Sequence, residues 1–354
     1  MKKYPYAQVL YGQAEIKAVN KVLMSDWLSG HKETVKFEEK LAKWWGMKYA
    51  VSTNSGSSAN FIAVQSLELP KGSEVITTPG GAFPTTVSPI IYHGLKPVFV
   101  DIDLDTLCIE ESLEGLYSVG TRNVGAIIFA HTLGNMPSME FIKYYGLKVI
   151  EDCCDAMGSE QDGKKAGTFG DLATVSFYAA HTMTSGGEGG AILTNDYELY
   201  LKCRSIRDWG RACYCKYGMP LPACKDRFKI KPFDHRYYYT NLGMNLKLTE
   251  MQAAFGREQL KRVNGFIKKR KRNYKVLQYE LHREDLGIIE LEKGIVPFAF
   301  PLLVKNKNEV MKRLTKKGIG CRSIFTGNLL KHPAYKDIDC RIVGDLKNSD
   351  KLFN

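Results

Sequence analysis

Seven short apolar segments between residues 49 and 194 constrain the fold more than any other feature of this sequence. Each is five or six residues long, contains β-branched residues, and is separated from the next by a segment with helical or turn character. Such segments are typical of strands buried on both faces of a largely parallel sheet. The predicted strands are Tyr49–Thr53, Glu74–Thr78, Pro97–Asp101, Gly125–Ala130, Lys148–Asp152, Ala173–Tyr178 and Gly190–Thr194. We therefore expect an α/β protein with a seven-stranded, mostly parallel sheet.

A second, smaller domain is expected after this sheet. The chain has 354 residues and is 44% hydrophobic, which suffices for two domains or for one large domain with an appendage. The elements predicted there are a linking helix from Leu248 to about His282, a strand over Val296–Val304, a helix over Asn308–Lys317 and a strand over Cys321–Phe325. We predict a large domain over residues 1–248, with a cysteine-bearing insertion at about 203–240, and a small α+β domain over 249–354.

Composition and charge restrict the partners of the protein. The formal net charge is +12, but the basic residues are dispersed apart from Lys268–Arg272, which we interpret as the solvated face of a helix rather than a nucleic-acid site. The positive charge suits an anionic substrate such as a nucleotide-sugar, or an acidic protein partner. The sequence has no apolar run of signal-peptide or membrane-spanning length. We therefore expect a cytoplasmic protein that binds neither nucleic acid nor a membrane.

Polar residues follow two of the predicted strands. Asp152 ends a buried strand, where an open α/β sheet presents groups to a ligand, although a cap on the next helix would also explain it. The turn Ser55–Ser58 lies between a strand and a predicted helix at Ala59–Leu67, so its hydroxyl and N–H groups suit a phosphate. Because strand-end acids and Gly/Ser turns are common, each signal alone also allows a purely structural role.

Together with the segment Ser176–Gly190, these residues resemble the vitamin B6-dependent aminotransferases and dehydratases of nucleotide-linked keto-sugars. The resemblance covers nearly the whole chain and implies an aspartate aminotransferase-like fold, also called fold type I. It implies a homodimer with shared active sites. The site residues that it implies are Asp152 as partner of the pyridine nitrogen, Ser55, Gly56, Ser57 and Ser176 around the phosphate, Phe83 stacked on the ring, and Asn245 reaching the phosphate from the neighbouring subunit. Asp155, in the same acidic strand end as Asp152, completes the predicted cofactor site.

His181 occupies the position at which that family normally carries a lysine, which binds the cofactor covalently. Members with histidine there are sugar 3-dehydratases, so the resemblance implies pyridoxamine 5′-phosphate, the aminated form of pyridoxal 5′-phosphate, as cofactor. Imidazole transfers protons near neutral pH, which makes His181 the predicted catalytic residue. The alternative is a buried, hydrogen-bonded core histidine. The segment from His181 to Gly190 is one residue longer than in the family, which leaves its geometry open.

Four cysteines form the pattern Cys-X58-Cys-X-Cys-X8-Cys, and they are Cys154, Cys213, Cys215 and Cys224. Four thiolates suit zinc or a two-iron cluster, but the spacing matches no common motif, so reduced cysteines are an equal alternative. Cys153 could replace Cys154 as the first ligand. The segments around this pattern resemble the iron–sulfur branch of the family, the 3-dehydrases of CDP-4-keto-6-deoxyglucose. That resemblance implies a [2Fe–2S] cluster on the four cysteines and a separate NADH-dependent flavin and iron–sulfur reductase.

The predicted enzyme removes the 3-hydroxyl group of a nucleotide-linked 4-keto-6-deoxyhexose, on the route to the 3,6-dideoxyhexoses of surface polysaccharides. One alternative is a cluster-free 3-dehydratase, of the type that acts on GDP-4-keto-6-deoxymannose and recovers its aminated cofactor from glutamate. The others are a catalytically inactive homologue and a zinc-bound regulatory protein. The resemblance also implies a further segment after the position of Asn354, so we expect a truncated small domain.

Overall fold

A computed structural model describes residues 3–111, 119, 123–143, 145–215, 227–281, 287–289, 291 and 293–353. By its internal contacts the chain divides into two units. Unit 1 comprises Met1–Gln8, Leu69–Gly170 and Asn264–Asn354, and unit 2 comprises Val9–Glu68 and Asp171–Val263. The domain boundary that the sequence predicts at residue 248 stays a prediction.

Helices and strands are distributed along the whole described part of the chain. The helices are α1 (Gln13–Leu23), α2 (Lys32–Trp45), α3 (Gly56–Ser66), α4 (Pro84–Tyr92), α5 (Met139–Lys143), α6 (Tyr197–Arg207), α7 (Glu250–Leu281), α8 (Lys307–Lys316) and α9 (Lys347–Phe353). The strands are β1 (Tyr49–Thr53), β2 (Glu74–Thr77), β3 (Lys96–Phe99), β4 (Val124–Ala130), β5 (Lys148–Asp152), β6 (Glu160–Gln161), β7 (Lys164–Lys165), β8 (Leu172–Ser176), β9 (Gly190–Thr194), β10 (Gly287–Ile288), β11 (Leu302–Leu303) and β12 (Arg341–Ile342). Short 3₁₀ helices cover Thr132–Gly134, His235–Tyr237 and Leu329–Lys331.

Unit 1 contains parallel strands in the order β5-β4-β2-β3-β12. Their apolar side chains are buried on both faces, as Ile76, Phe99, Ile128 and Ile150 illustrate with no exposed surface. Because both faces are buried, the strands have continuous apolar sequences rather than alternating apolar and polar residues. Asp152 is a polar residue at the end of one of these parallel strands.

Unit 2 contains three strands in the order β1-β9-β8, with β9 antiparallel to both neighbours. Helix α3 packs against β8 and β9, and its buried residues include Ile62 and Ala63. Helix α2 begins where the Glu250 carboxylate accepts hydrogen bonds from the backbone N–H groups of His31, Glu33 and Thr34. A carboxylate at this position satisfies the free donors of the helix start and complements its dipole.

The α/β class and all seven strands predicted between residues 49 and 194 are confirmed. Strand β12 is an addition, held in place because Arg341 bonds both oxygens of the Glu74 carboxylate at 3.0 and 2.7 Å. The predicted linking helix corresponds to α7, and the predicted helix Asn308–Lys317 corresponds to α8. Within the described residues, no helix combines the length and the apolar character that a membrane crossing requires.

The strand predictions near the C-terminus were largely wrong. Only Leu302–Leu303 of the predicted strand Val296–Val304 pairs with another strand. Pro297 and Pro301 interrupt that segment, and a proline cannot donate a ladder hydrogen bond. The segment 321–325 lies wholly within the described residues and forms no strand. There Phe325 has a φ of +44°, which belongs to the left-handed region and is incompatible with extended pairing.

Candidate cofactor and metal sites

The predicted phosphate loop of unit 2 begins helix α3. Ser55 is the N-cap of this helix, and its hydroxyl accepts a hydrogen bond from the Ser58 N–H at 3.1 Å. The helix starts at Gly56, three residues before the predicted Ala59, because the cap compensates for the poor helix propensity of the glycine and serines. Free N–H groups at a helix start attract anions. This loop therefore has the chemistry that a cofactor phosphate requires.

Gly190 brings the loop and Ser176 to the same edge of the unit 2 sheet. In the sheet, Gly190 is the register partner of both Thr53 and Ser176. A Cβ atom at Gly190 would lie only 2.4 Å from the Ser55 carbonyl oxygen and 2.6 Å from the Gly56 nitrogen. The strand thus approaches the loop at a distance that only glycine allows. Ser176, the strand partner of Gly190, has a hydroxyl that accepts a hydrogen bond from the Tyr178 N–H at 3.2 Å, and its role at a phosphate stays a prediction.

We expect Gly190→Ala to weaken the binding of pyridoxal phosphate, because the added methyl group would displace the Ser55–Gly56 backbone. Overpacking of this kind costs about 1–3 kcal/mol, which corresponds to roughly 5- to 150-fold in affinity. A cofactor titration followed by absorbance measures the effect. Gly265→Ala is the matched control, since its Cβ would meet nothing within 4 Å on helix α7. Equal affinity of both variants would contradict the role given to Gly190.

His181 lies in a loop that is fixed by its own hydrogen bonds. The backbone N–H of His181 donates to the Tyr178 carbonyl at 2.9 Å, and the imidazole is half-buried beside the Tyr178 ring. The Thr184 hydroxyl donates to the Phe177 carbonyl at 2.7 Å. Gly186 and Gly187 adopt φ values of +75° and +111°, which glycine tolerates without strain. These two glycines allow the turn that the chain makes after Ser185.

Asn245 is exposed and follows a segment rich in cationic and aromatic side chains. Its side-chain oxygen accepts a hydrogen bond from the Lys247 ammonium at 2.6 Å. That ammonium lies 3.2 Å from the centroid of Trp209, and the Arg211 guanidinium lies 4.4 Å from the same ring. Burial, together with nearby arginines, lowers the pKa of Lys247 to about 8. Asn245 is exposed, as a residue that reaches another subunit would be in a single chain. Its contact with another subunit stays a prediction.

In unit 1, Asp152 ends strand β5 with a buried carboxylate. One carboxylate oxygen accepts from the Thr86 hydroxyl at 2.7 Å and the other from the Cys154 N–H at 3.1 Å. These two hydrogen bonds fix the direction of the carboxyl group. A buried, oriented carboxyl group is the kind of group that would keep a pyridine nitrogen protonated, and this role of Asp152 stays a prediction. Phe83, directly before helix α4, presents a ring that is 57% exposed and is therefore accessible for stacking.

Asp155 differs from Asp152 in its electrostatic surroundings. Burial and the nearby Asp152 charge raise the pKa of Asp155 to about 7, although the Leu133 N–H, Arg322 and Arg270 act in the opposite direction. The Leu133 N–H donates to the Asp155 carboxylate at 3.2 Å. A buried acid with a strongly raised pKa is typical of functional sites. Asp155 thus changes charge near neutral pH in this structure.

The raised pKa of Asp155 predicts a specific pH dependence of stability. Because the native carboxyl binds its proton more tightly than the unfolded one, the native state should lose stability as the pH rises from 3.8 to about 7. In the parent, the free energy of unfolding should be lower at pH 8 than at pH 4 by up to about 4 kcal/mol because of this carboxyl group. In Asp155→Asn this contribution to the difference should be absent. Chemical unfolding at both pH values measures it. The exposed Asp337→Asn is the control, and identical pH profiles for parent and Asp155→Asn would contradict the prediction.

Two of the predicted metal ligands lie together in unit 2. Cys213, Cys215 and His235 offer ligand atoms that are all within 4.8 Å of one another. The His235 Nε2 atom lies 3.5 Å from the Cys213 sulfur and 3.7 Å from the Cys215 sulfur. The sequence did not single out His235. The only signal was its place in the segment Asp234–Lys247, which resembles the iron–sulfur branch of the family.

Of the other predicted ligands, one belongs to unit 1 and one lies outside the described residues. Cys154 belongs to unit 1 and is partly exposed, whereas Cys153 is fully buried with its thiol directed at the Glu151 carbonyl. Burial and the adjacent carboxylates raise the pKa of both thiols. Cys154 is therefore the more accessible of the two candidates. Cys224 lies outside the described residues, so the predicted four-cysteine set stays a prediction.

The α/β fold, the capped serine loop and the buried strand-end acid are features of B6-dependent enzymes. Residues 10–354 match the sequence profile of the DegT/DnrJ/EryC1/StrS aminotransferase family. The chain is also 40% identical to the lipopolysaccharide biosynthesis protein RfbH of Salmonella typhimurium, and the match covers 99% of this chain and 85% of that protein. The chain therefore belongs to the DegT/DnrJ/EryC1/StrS aminotransferase family.

Two further similarities concern proteins named as 3-dehydratases. The chain is 38% identical to the dTDP-4-dehydro-2,6-dideoxy-D-glucose 3-dehydratase of Saccharopolyspora spinosa, over 89% of this chain and 73% of that protein. The structure of the Escherichia coli GDP-4-keto-6-deoxy-D-mannose-3-dehydratase with bound hydrated PLP superimposes with a TM-score of 0.90 and 29% identity, covering 100% of this chain and 94% of that one. These similarities confirm the aspartate aminotransferase-like fold predicted from the sequence.

Proposed function

We propose that this protein is a pyridoxamine-phosphate-dependent 3-dehydratase that acts on a nucleotide-linked 4-keto-6-deoxyhexose. The observation that carries the proposal is the histidine at position 181, in a segment where the family normally has the lysine that binds the cofactor. The relatives named as nucleotide-sugar 3-dehydratases support the same activity. We further propose that the enzyme is a cytoplasmic homodimer, with Asn245 contributed to the neighbouring site.

Each proposed residue has a separate task in this reaction. Bound pyridoxamine phosphate would supply an amino group that condenses with the 4-keto group of the sugar, and a ring that accepts the electrons released at C4′. His181 would take the proton from C4′ as the general base. Asp152 would hold the proton on the pyridine nitrogen, and Phe83 would orient the ring by stacking. The phosphate would be bound by the loop Ser55–Ser57 and the Ser176 hydroxyl.

Reduction after water loss would require electrons, and here we propose a [2Fe–2S] centre served by an NADH-dependent flavin and iron–sulfur reductase. Support comes from the cysteine pattern and from the proximity of Cys213 and Cys215. For an enzyme with this iron–sulfur centre, the proposed substrate is CDP-4-keto-6-deoxyglucose. The second candidate is a cluster-free 3-dehydratase that uses glutamate. Similarity to the GDP-4-keto-6-deoxy-D-mannose 3-dehydratases favours it.

The proposed activity is tested by incubating the protein with pyridoxamine phosphate and each of the two keto-sugars, GDP-linked alone and CDP-linked together with NADH and a flavin and iron–sulfur reductase. Mass spectrometry should detect the loss of the 3-hydroxyl group from one of them. Anaerobic purification followed by iron and sulfide analysis then distinguishes the two candidates. Two irons and two sulfides per chain would support the reductase-coupled enzyme, and turnover with glutamate in a protein without iron would support the other. Transfer of an amino group to the sugar without water loss would contradict the proposal.

A further inference from the structure

Thr86 lies in the first turn of helix α4 and contacts two of the predicted cofactor residues, Phe83 and Asp152. Phe83 is the N-cap of this helix and has an extended backbone, with φ −82° and ψ 151°, a conformation that the following Pro84 favours. The Thr86 N–H donates to the Phe83 carbonyl at 2.9 Å. The main chain that carries the Phe83 ring is therefore fixed both by the proline and by Thr86.

The side chain of Thr86 contacts the second of these residues. Its hydroxyl donates to the Asp152 carboxyl group at 2.7 Å, although the two residues are 66 positions apart in the sequence. The other oxygen of that group accepts the Cys154 N–H at 3.1 Å. The Cys154 bond is local to the end of strand β5, whereas the Thr86 bond joins this strand end to helix α4. The direction of the Asp152 carboxyl group thus depends on the position of helix α4.

Packing leaves Thr86 little freedom to move. Thr86, Val87 and Ile90 lie on the buried face of α4 and have no exposed surface. Val87 belongs to one apolar cluster with Phe99 and Leu329, which holds the helix against the sheet of unit 1. A β-branched side chain on a helix has few allowed rotamers. The anchored backbone of α4 therefore determines where the Thr86 hydroxyl points.

We infer that Thr86 is a positioning residue, which holds the Asp152 carboxyl group and the Phe83 backbone in a fixed relation to each other. The inference rests on the proposed function, in which Asp152 binds the nitrogen of the pyridine ring and Phe83 stacks on its face. Both groups must match one planar molecule, so their relative position matters as much as the position of either. A misplacement of about 1 Å in such an arrangement can lower a reaction rate by roughly 100-fold. Thr86 acts through these two residues rather than on the substrate.

The competing role for Thr86 is purely structural, with a hydroxyl that fastens helix α4 to strand β5 and has no effect on the cofactor. Thr86→Val separates the two roles, because valine has the shape of threonine without the hydroxyl. Both roles predict that this variant is less stable, since a buried acceptor loses its donor. The positioning role predicts in addition a change at the pyridine nitrogen of the bound cofactor and slower turnover by the folded enzyme.

A double-mutant cycle on the cofactor-free protein tests the hydrogen bond itself. Thr86→Val should raise the unfolding equilibrium constant by roughly 5- to 150-fold in the parent, and by less than about 2-fold when Asp152→Ala is also present. Chemical denaturation measures both effects. Equal effects in the two backgrounds would show that the side chains are not coupled and would overturn the inference. Because this measurement involves neither cofactor nor sugar, its failure is distinguishable from failure of the proposed dehydratase activity.

The second test uses protein loaded with pyridoxamine phosphate that carries a ¹⁵N label in its ring. In Thr86→Val the ring resonance should move towards that of an unprotonated nitrogen, and kcat for dehydration should fall by roughly 10- to 100-fold with little change in the KM of the sugar.

Thr86→Ser keeps the hydroxyl, although in three staggered positions, so it should stay within about 3-fold of the parent. Thr194→Val is the matched control and should retain the parental kcat, since it removes an equally buried hydroxyl that donates to the Asp171 carbonyl at 2.7 Å. A parental nitrogen resonance in Thr86→Val, or a Thr86→Ser variant as impaired as Thr86→Val, would overturn the inference. The resonance requires cofactor binding but no turnover.

Discussion

Replacing His181 by lysine should attach pyridoxal phosphate covalently to the protein. The loop that carries residue 181 is fixed by hydrogen bonds of its own backbone and of Thr184, so the new amine should occupy the place of the imidazole. Borohydride should then fix the cofactor on His181→Lys and leave the parent unlabelled. Dehydration should fall by roughly 100- to 10,000-fold, which is the usual contribution of a positioned general acid–base group.

A second variant serves as the control for the covalent labelling of His181→Lys. His181→Asn lacks both the amine and the base, so it should lose activity without gaining the label. Mass spectrometry of peptides identifies the labelled residue in each protein. A parent that is already labelled at one of its own lysines would show that the cofactor is anchored elsewhere, and the role given to His181 would be wrong.

Asp152→Asn should largely abolish dehydration while leaving the fold intact. The asparagine oxygen can still accept the Thr86 hydroxyl, but the neutral amide cannot hold a pyridine nitrogen in its protonated form. Cofactor binding should persist in weakened form, because the loop Ser55–Ser57 is unchanged. Initial rates of water loss and a cofactor titration separate the two effects.

The matched control for Asp152→Asn makes the same chemical change at a structural position. Asp196 caps helix α6 by accepting from the Glu198 and Leu199 N–H groups. Asparagine caps a helix about as well as aspartate, so Asp196→Asn should retain activity. Dehydration by Asp152→Asn at close to the parental rate would assign the pyridine partner to another residue.

The sequence predicted the strands well because their burial leaves a local signal. A strand covered on both faces requires an uninterrupted apolar run, and the position of Asp152 follows from where such a run ends. The serine-rich start of helix α3 was predictable for a similar reason, although the helix begins at Gly56 rather than at the predicted Ala59. Prediction therefore succeeded where the cause of a structure lies within a few residues.

Features that depend on distant contacts could not be predicted in this way. Helix α9 begins where Asp101 accepts the N–H groups of Asn348 and Ser349, a contact over more than two hundred residues. His235 reaches Cys213 through backbone pairing that no local pattern announces. The raised pKa of Asp155 arises from burial and from Asp152, and burial is a property of the folded chain.

Hydrogen exchange at C4′ of the cofactor tests the central claim most directly. The protein is incubated in deuterated water with pyridoxamine phosphate and the nucleotide-linked 4-keto-6-deoxyhexose, and the recovered cofactor is examined by mass spectrometry or NMR. Since His181 is proposed to remove the C4′ proton, we predict deuterium at C4′ with the parent and its loss in His181→Asn. Exchange that continues undiminished in His181→Asn, or a parent that transfers its amino group to the sugar without eliminating water, would contradict the account.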